Sequence, residues 1–135
     1  ELAADKNIEM KLVKKPGNEI YVLADKVKIT QVFNNLILNS IFYGIKNGKT
    51  EVFLNDKKGK LELKIQDNGI GIESKYLPRI FERFFRVEKS RDRNKGGSGI
   101  GLAIVKHVIE AHNQSIEVKS EIGKGTSFIF ELNKG

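Results

Sequence analysis

A chain of 135 residues, 39% hydrophobic and 30% charged, has room for one domain with a proper core and not for two ordinary ones. The absence of cysteine excludes disulfide staples and thiolate metal sites, and no apolar run approaches the length of a membrane span. The formal charge of +7 invites a nucleic-acid reading, but much of it is local: residues 83–95 carry six basic side chains against two acidic ones.

Alternation at Ile8, Met10 and Leu12, then at Tyr21 and Leu23, predicts two strands joined through the turn Pro16-Gly17-Asn18. A helix is predicted from Lys26 to about Ile45, with Asp25 as N-cap and Gly44 near its end. Its inward set is Ile29, Val32, Phe33, Leu36, Ile37 and Ser40. Asn35, Asn39 and Phe42 fall on the adjoining face. Glu51–Leu54 and Leu61–Gln66 read as a hairpin turned at Asn55–Lys60, and the second strand runs straight into Asp67.

A short helix is predicted from Ser74 to Phe85, carrying Leu77, Ile80, Phe81 and Phe84, and then a polar, basic loop over 86–98. From about Gly99 to His112 a helix follows, its inward face Leu102, Ala103, Val105, Val108 and Ile109. Strands at Ile116–Lys119 and Ser127–Leu132 flank the turn Glu121 to Thr126. Strands and helices do not keep the strict rhythm of a doubly wound sheet, so a mixed sheet with helices on one face fits best. The chain starts at Glu1 with no signal-like stretch, and is expected to be a piece of a longer polypeptide.

Two glycine-rich segments carry the chemistry: Asp67-Asn68-Gly69-Ile70-Gly71-Ile72 and Gly97-Ser98-Gly99-Ile100-Gly101-Leu102. Glycines at such spacing let backbone approach a ligand and offer N–H groups to phosphate oxygens, while a carboxylate beside them can read a base. The dinucleotide-binding fingerprint fails, because a basic loop and not a strand precedes the second segment. The P-loop pattern does not occur in the chain.

Taken in order, Asn35 and Asn39, Asp67 with Gly69 and Gly71, the cluster Phe81, Phe84 and Phe85, the run Gly97–Gly101 and Gly123-Lys124-Gly125-Thr126 resemble the boxes of the histidine-kinase ATP-binding domain. The resemblance covers nearly the whole chain as one domain, residues 1–135, with 86–98 as the flexible loop over the nucleotide. It implies an α/β (α+β) Bergerat sandwich: a mixed, mostly antiparallel sheet with about three helices on one face. The wider group includes gyrase, heat-shock protein 90 and mismatch-repair ATPases.

By the same resemblance ATP and Mg²⁺ are the expected ligands. Asp67 accepts the adenine amino proton, Thr126 supports the adenine side, and Tyr43 matches the usual aromatic of the nucleotide contacts. Asn39 ligates Mg²⁺ through its amide oxygen, with Asn35 one helical turn earlier near the metal and phosphates. Gly97, Ser98, Gly99 and Gly101 wrap the triphosphate, and Leu102 anchors the helix that follows. Arg86 and Arg91 are the candidates for phosphate or transition-state contacts, since phosphoryl transfer is catalysed mainly by positioning and charge neutralisation. The three phenylalanines are expected to couple the loop to a partner domain.

Two departures shape the functional reading. Gyrase-type ATPases place a glutamate four residues before the metal asparagine; here Asn35 stands there, and an amide cannot act as a general base. A histidine acceptor has less need of such a base, so the histidine kinase branch is implied, with transfer of the ATP γ-phosphoryl group to a histidine on a separate dimerisation domain. His107 and His112 lack the acidic neighbour of a phosphoacceptor and are expected to be structural. The acceptor helices are expected to precede Glu1, making this piece a monomer that works with those helices and, through the parent kinase, a response regulator.

The second departure is Phe42, where the family usually has a phosphate-contacting lysine; Lys46 could substitute from one turn on. The alternative reading is accordingly a catalytically impaired nucleotide-binding module of the same fold. No nucleic-acid partner is expected. The expected location is cytoplasmic, on a parent that is a membrane-bound bacterial sensor.

Overall fold

The computed structural model describes residues 7–14, 19–85 and 101–135. Strands β1 (Glu9–Lys14), β2 (Lys49–Lys57), β3 (Lys60–Asp67), β4 (Ile116–Glu121) and β5 (Gly125–Asn133) form one sheet in the order β1-β2-β3-β5-β4. Helices α1 (Lys26–Phe42) and α2 (Gly101–Ala111) and a 3₁₀ turn at Ser74–Arg79 complete the described elements. All strand pairs are antiparallel except β1 with β2, which the crossover through α1 allows to run parallel.

Strict alternation decides which face of the sheet is covered. Leu61, Leu63, Ile65 and Asp67 of β3 are buried while the residues between them are half-buried, and β5 repeats the pattern with Thr126, Phe128, Phe130 and Leu132. On this face Val32 and Leu36 of α1 and Val105, Val108 and Ile109 of α2 close the core. Phe33 meets Phe130 edge-on and Phe81 meets Phe128 likewise, both at 6.1 Å between ring centres. Asp25 caps α1 as the sequence predicts, accepting the Lys28 N–H at 3.1 Å.

Three sequence expectations are corrected. The hairpin of the first two segments does not form: β1 pairs with β2, and residues 21–23 instead bridge the C-terminal tail through Val22 and Lys134. Tyr21 and Leu23 face solvent while Ile20 and Val22 pack on the core, so the alternation is real but its faces are reversed. The Pro16-Gly17-Asn18 turn lies outside the described residues.

The helix predicted over Ser74–Phe85 is only the 3₁₀ turn ending at Arg79, and among the described residues this turn joins the two α-helices over the sheet. Pro78 lacks the N–H that a continuing α-helix would need, and Phe84 takes a positive φ of 65° with its ring exposed. Finally, α1 stops at Phe42, not near Ile45. Lys46 therefore sits in the following turn, exposed, and not one helical turn beyond Phe42.

Candidate functional site

Asp67 is the last residue of β3 and shares the covered face with Ile65, so its carboxylate points into the helix layer and is only 5% exposed. Its Oδ1 accepts two main-chain N–H groups, from Gly69 at 2.9 Å and Thr126 at 3.2 Å. Burial pushes the carboxyl above the ordinary carboxylate range, and those two N–H bonds pull it back in part. A carboxylate so held cannot swing, yet its remaining lone pairs can still receive a donor.

The glycines after Asp67 are close-approach residues. A Cβ on Gly69 would lie 2.1 Å from the Tyr43 carbonyl oxygen, which also accepts the Ile70 N–H at 3.0 Å. This ties the glycine loop to the end of α1. The turn at Gly123 docks on the same loop, donating its N–H to Ile70 O at 2.9 Å, and Gly125, at φ 122°, leaves a Cβ position only 2.0 Å from Asp67 O. The two glycine clusters thus form one surface around Asp67.

Asn35 and Asn39, four residues apart on α1, share one helix face and are both half-buried. Gly101, which opens α2, lies beside the first of them: its Cβ position is 3.3 Å from Asn35 Oδ1. Neither amide side chain has a hydrogen-bond partner among the described residues. The structure therefore brings Asn35 to Gly101, and Asp67 to Gly69 and Thr126. The Tyr43 ring stands edge-on to Phe42 at 4.9 Å, and Leu102 packs half-buried against the core.

Arg86, Arg91, Gly97, Ser98 and Gly99, and the basic loop over 86–98, lie outside the described residues. Among the described residues there is no cluster of three or more His, Asp or Glu side chains suited to a metal ion. Two neutral amide oxygens are nonetheless acceptable to a hard cation that keeps waters and phosphate oxygens as its other ligands. His107 is exposed. His112 takes a structural place at the far end of the domain, between α2 and the cap of α1.

Three polar residues escape the motif reading. Asn68 Oδ1 accepts the Lys49 N–H at 2.8 Å, pinning the start of β2 to the glycine loop. Ser40 Oγ donates to Ile37 O and accepts from the wholly buried Thr50 Oγ1 at 3.0 Å. Ser120 Oγ accepts the Ile72 N–H at 2.7 Å and contacts Thr126 Oγ1 at 2.7 Å. The signal for Ser120 was the inward alternation Ile116, Val118, Ser120, which places a hydroxyl where an apolar residue is ordinary.

An open hollow of about 390 Å³ reaches this end of the sheet, lined among others by Lys49, Glu51, Gln66, Lys119 and Ser127. Gln66 and Ser127 alternate with Asp67 and Thr126, so these side chains belong to the opposite sheet face. Asp67, Ser120 and Thr126 line it as well.

Residues 24–135 match the family model described as histidine kinase-, DNA gyrase B-, and HSP90-like ATPase. The chain is 40% identical over 119 residues to the sensor histidine kinase WalK of Bacillus subtilis (strain 168), covering 87% of this chain and 20% of that protein. Sensor protein kinase WalK of Staphylococcus haemolyticus (strain JCSC1435) is 43% identical over the same shares. The chain thus spans about a fifth of the length of the curated relatives it matches. Among solved structures, the mycobacterial sensor histidine kinase MprB superposes with a TM-score of 0.81 at 28% identity, over 98% of this chain and 87% of that one. Full-length ShkA in complex with AMPPNP gives 0.84 at 26% identity, over 99% of this chain and 27% of that one. With the two-layer architecture and the Asp67 surface already in place, the chain belongs to the histidine kinase-, DNA gyrase B- and HSP90-like ATPase family, among the ATP-binding domains of sensor histidine kinases.

Proposed function

We propose that the chain serves as the catalytic ATP-binding domain of a two-component sensor histidine kinase, which passes the ATP γ-phosphoryl group to a histidine on a separate dimerisation domain. The observation that carries this reading is the pairing of a buried, backbone-held Asp67 with two asparagine amides on one face of α1, the first of them beside the start of α2. One end suits a purine amino group and the other a polyphosphate.

Asp67 is the acceptor for the adenine amino proton. Gly69 and Gly71 let the backbone close in around it, and Thr126 supports the same edge. At the other end the N–H groups opening α2 at Gly101, with the positive end of its dipole, suit phosphate oxygens. Asn39 and Asn35 would hold Mg²⁺, whose chemistry when bound is to neutralise phosphate charge. Asn35 carries no base, so water is not activated from that position and a nucleophile that needs no deprotonation is favoured. Arg86 and Arg91 are this chain's candidates for further charge neutralisation.

The named relatives are sensor kinases, and one structural neighbour, ThkA, was solved in complex with the response regulator protein TrrA. By that likeness the parent of this chain has acceptor-histidine helices and a cognate response regulator. Its membrane attachment, with this domain on the cytoplasmic side, follows the same likeness.

Calorimetric titration of the chain with ATP and Mg²⁺ tests the site, and adding the parent's acceptor helices tests the chemistry. Binding, followed by acid-labile phosphate on the helices' histidine, is expected. No binding at millimolar ATP would sink the reading. One observation favours a second reading, an impaired module: Phe42, packed on Tyr43, stands where the family has a lysine.

A further inference from the structure

Only one arrangement of protons turns all three contacts of Ser120 into hydrogen bonds. Its Oγ lies 2.7 Å from the Ile72 nitrogen, which can only donate, and 3.0 Å from the Gly125 carbonyl oxygen, which can only accept. In that arrangement the single Ser120 proton goes to Gly125, and one lone pair receives the Ile72 N–H. The third contact, Thr126 Oγ1 at 2.7 Å, then supplies its own proton to the second lone pair of Ser120.

This matters because of where Thr126 stands. Its position is one step beyond the Gln66–Ser127 pair, across from Asp67 and on the same covered face, and its N–H is already given to Asp67 Oδ1 at 3.2 Å. With the hydroxyl proton committed to Ser120, Thr126 Oγ1 offers only lone pairs. The carboxylate beside it, when ionised, offers only lone pairs as well.

We infer that Ser120 is a specificity-determining positioning residue: by fixing the Thr126 hydroxyl proton it makes this edge of the site acceptor-only, selecting a purine with an amino group at position 6 over one with an oxo group. The inference rests on the ATP-binding reading above. A 6-oxo purine would set its oxygen against lone pairs on both sides, leaving acceptors unpaired in a buried place. Without Ser120 the Thr126 hydroxyl can rotate and donate to that oxygen.

The test is a double-mutant cycle read as a ratio of affinities, ATP against inosine triphosphate, measured by competition with a fluorescent ATP analogue. Ser120→Ala is expected to reduce the preference for ATP by about tenfold. In a Thr126→Val background, which has no hydroxyl to orient, the same substitution is expected to leave the ratio unmoved. An equal change in both backgrounds, or none in either, overturns the inference while leaving ATP binding intact. Failure of the unsubstituted chain to bind ATP removes the reading beneath it instead, so the two failures are distinct. Should Ser120→Ala not fold, neutron diffraction from the unsubstituted, deuterated chain decides the matter: deuterium on the Thr126–Ser120 line supports it, and deuterium on Thr126 aimed away from Ser120 overturns it.

Discussion

His112 joins the two helices at the end of the domain remote from Asp67: its Nε2 accepts the Asp25 main-chain N–H at 3.0 Å, and its Nδ1–H donates to Val108 O at 2.8 Å. Asp25 is the N-cap of α1, so the residue that follows α2 completes the start of the other helix. Both nitrogens are used, with the proton on Nδ1. His112→Ala is expected to lower stability by about 0.5–1.5 kcal/mol in urea unfolding, with ATP affinity unchanged. His107→Ala, at an exposed position, should leave both unchanged.

Burial raises the Asp67 carboxyl against the opposing N–H bonds of Gly69 and Thr126. A raised folded-state value means that the folded chain holds a proton which the unfolded chain has already lost. Stability therefore falls as pH climbs from the ordinary aspartate value of 3.8 through the raised one, and the loss persists above it. Asp67→Asn keeps an oxygen for the two N–H groups and sheds the charge. It is expected to match or exceed the native chain in stability at neutral pH, to lose that advantage on acidification through this window, and to bind ATP far more weakly. Urea titrations across pH check the first two outcomes, and calorimetry the third.

Ser40 and Thr50 form a buried hydroxyl pair between α1 and β2, with Ser40 passing its proton to Ile37 O. Ser40→Ala leaves the Thr50 hydroxyl without its acceptor, which should cost about 1–3 kcal/mol. Adding Thr50→Val removes the orphan, and the double variant is expected to be more stable than Ser40→Ala alone. Chemical unfolding of the four species measures that coupling.

Gly69 and Gly59 should respond differently to alanine. At Gly59 a Cβ meets nothing within 4 Å, and the cost is that of a left-handed residue, about 1–2 kcal/mol. At Gly69 the Cβ would strike the Tyr43 carbonyl. Gly69→Ala is therefore expected to displace the loop after Asp67 and to abolish ATP binding, where Gly59→Ala preserves it. Thermal melts and nucleotide titration of both variants compare the two.

Phe42 is half-buried with its ring edge-on to Tyr43. If the family's lysine contact is what the site lacks, Phe42→Lys should tighten ATP binding by about 1 kcal/mol, a factor of roughly five, with the gain fading as salt rises. Calorimetry at two ionic strengths tests this. Unchanged affinity would show that phosphate binding does not depend on this position.

The strand before Asp67, the cap at Asp25 and the inward sets of α1 and α2 were legible in the sequence because each depends on local periodicity or on a single capping side chain. Asp67 itself could be placed at a strand end beside glycines. The glycines at 69 and 125 could be recognised, but not what they approach, since Tyr43 and Asp67 reach them from other elements.

Alternation and helical spacing by themselves determined the α1 helix, the β2–β3 hairpin, the α2 helix and the two closing strands, and placed Asp67 at a strand end with Asn35 and Asn39 on one helix face. The tertiary structure alone decided that β1 runs parallel to β2, that residues 20–22 turn their even-numbered side chains inward, and that the Ser120 and Thr126 hydroxyls meet. The physical reason is the range of the forces involved. Periodicity reports how one segment meets a generic core, whereas strand partners and proton positions depend on which particular groups from distant segments meet.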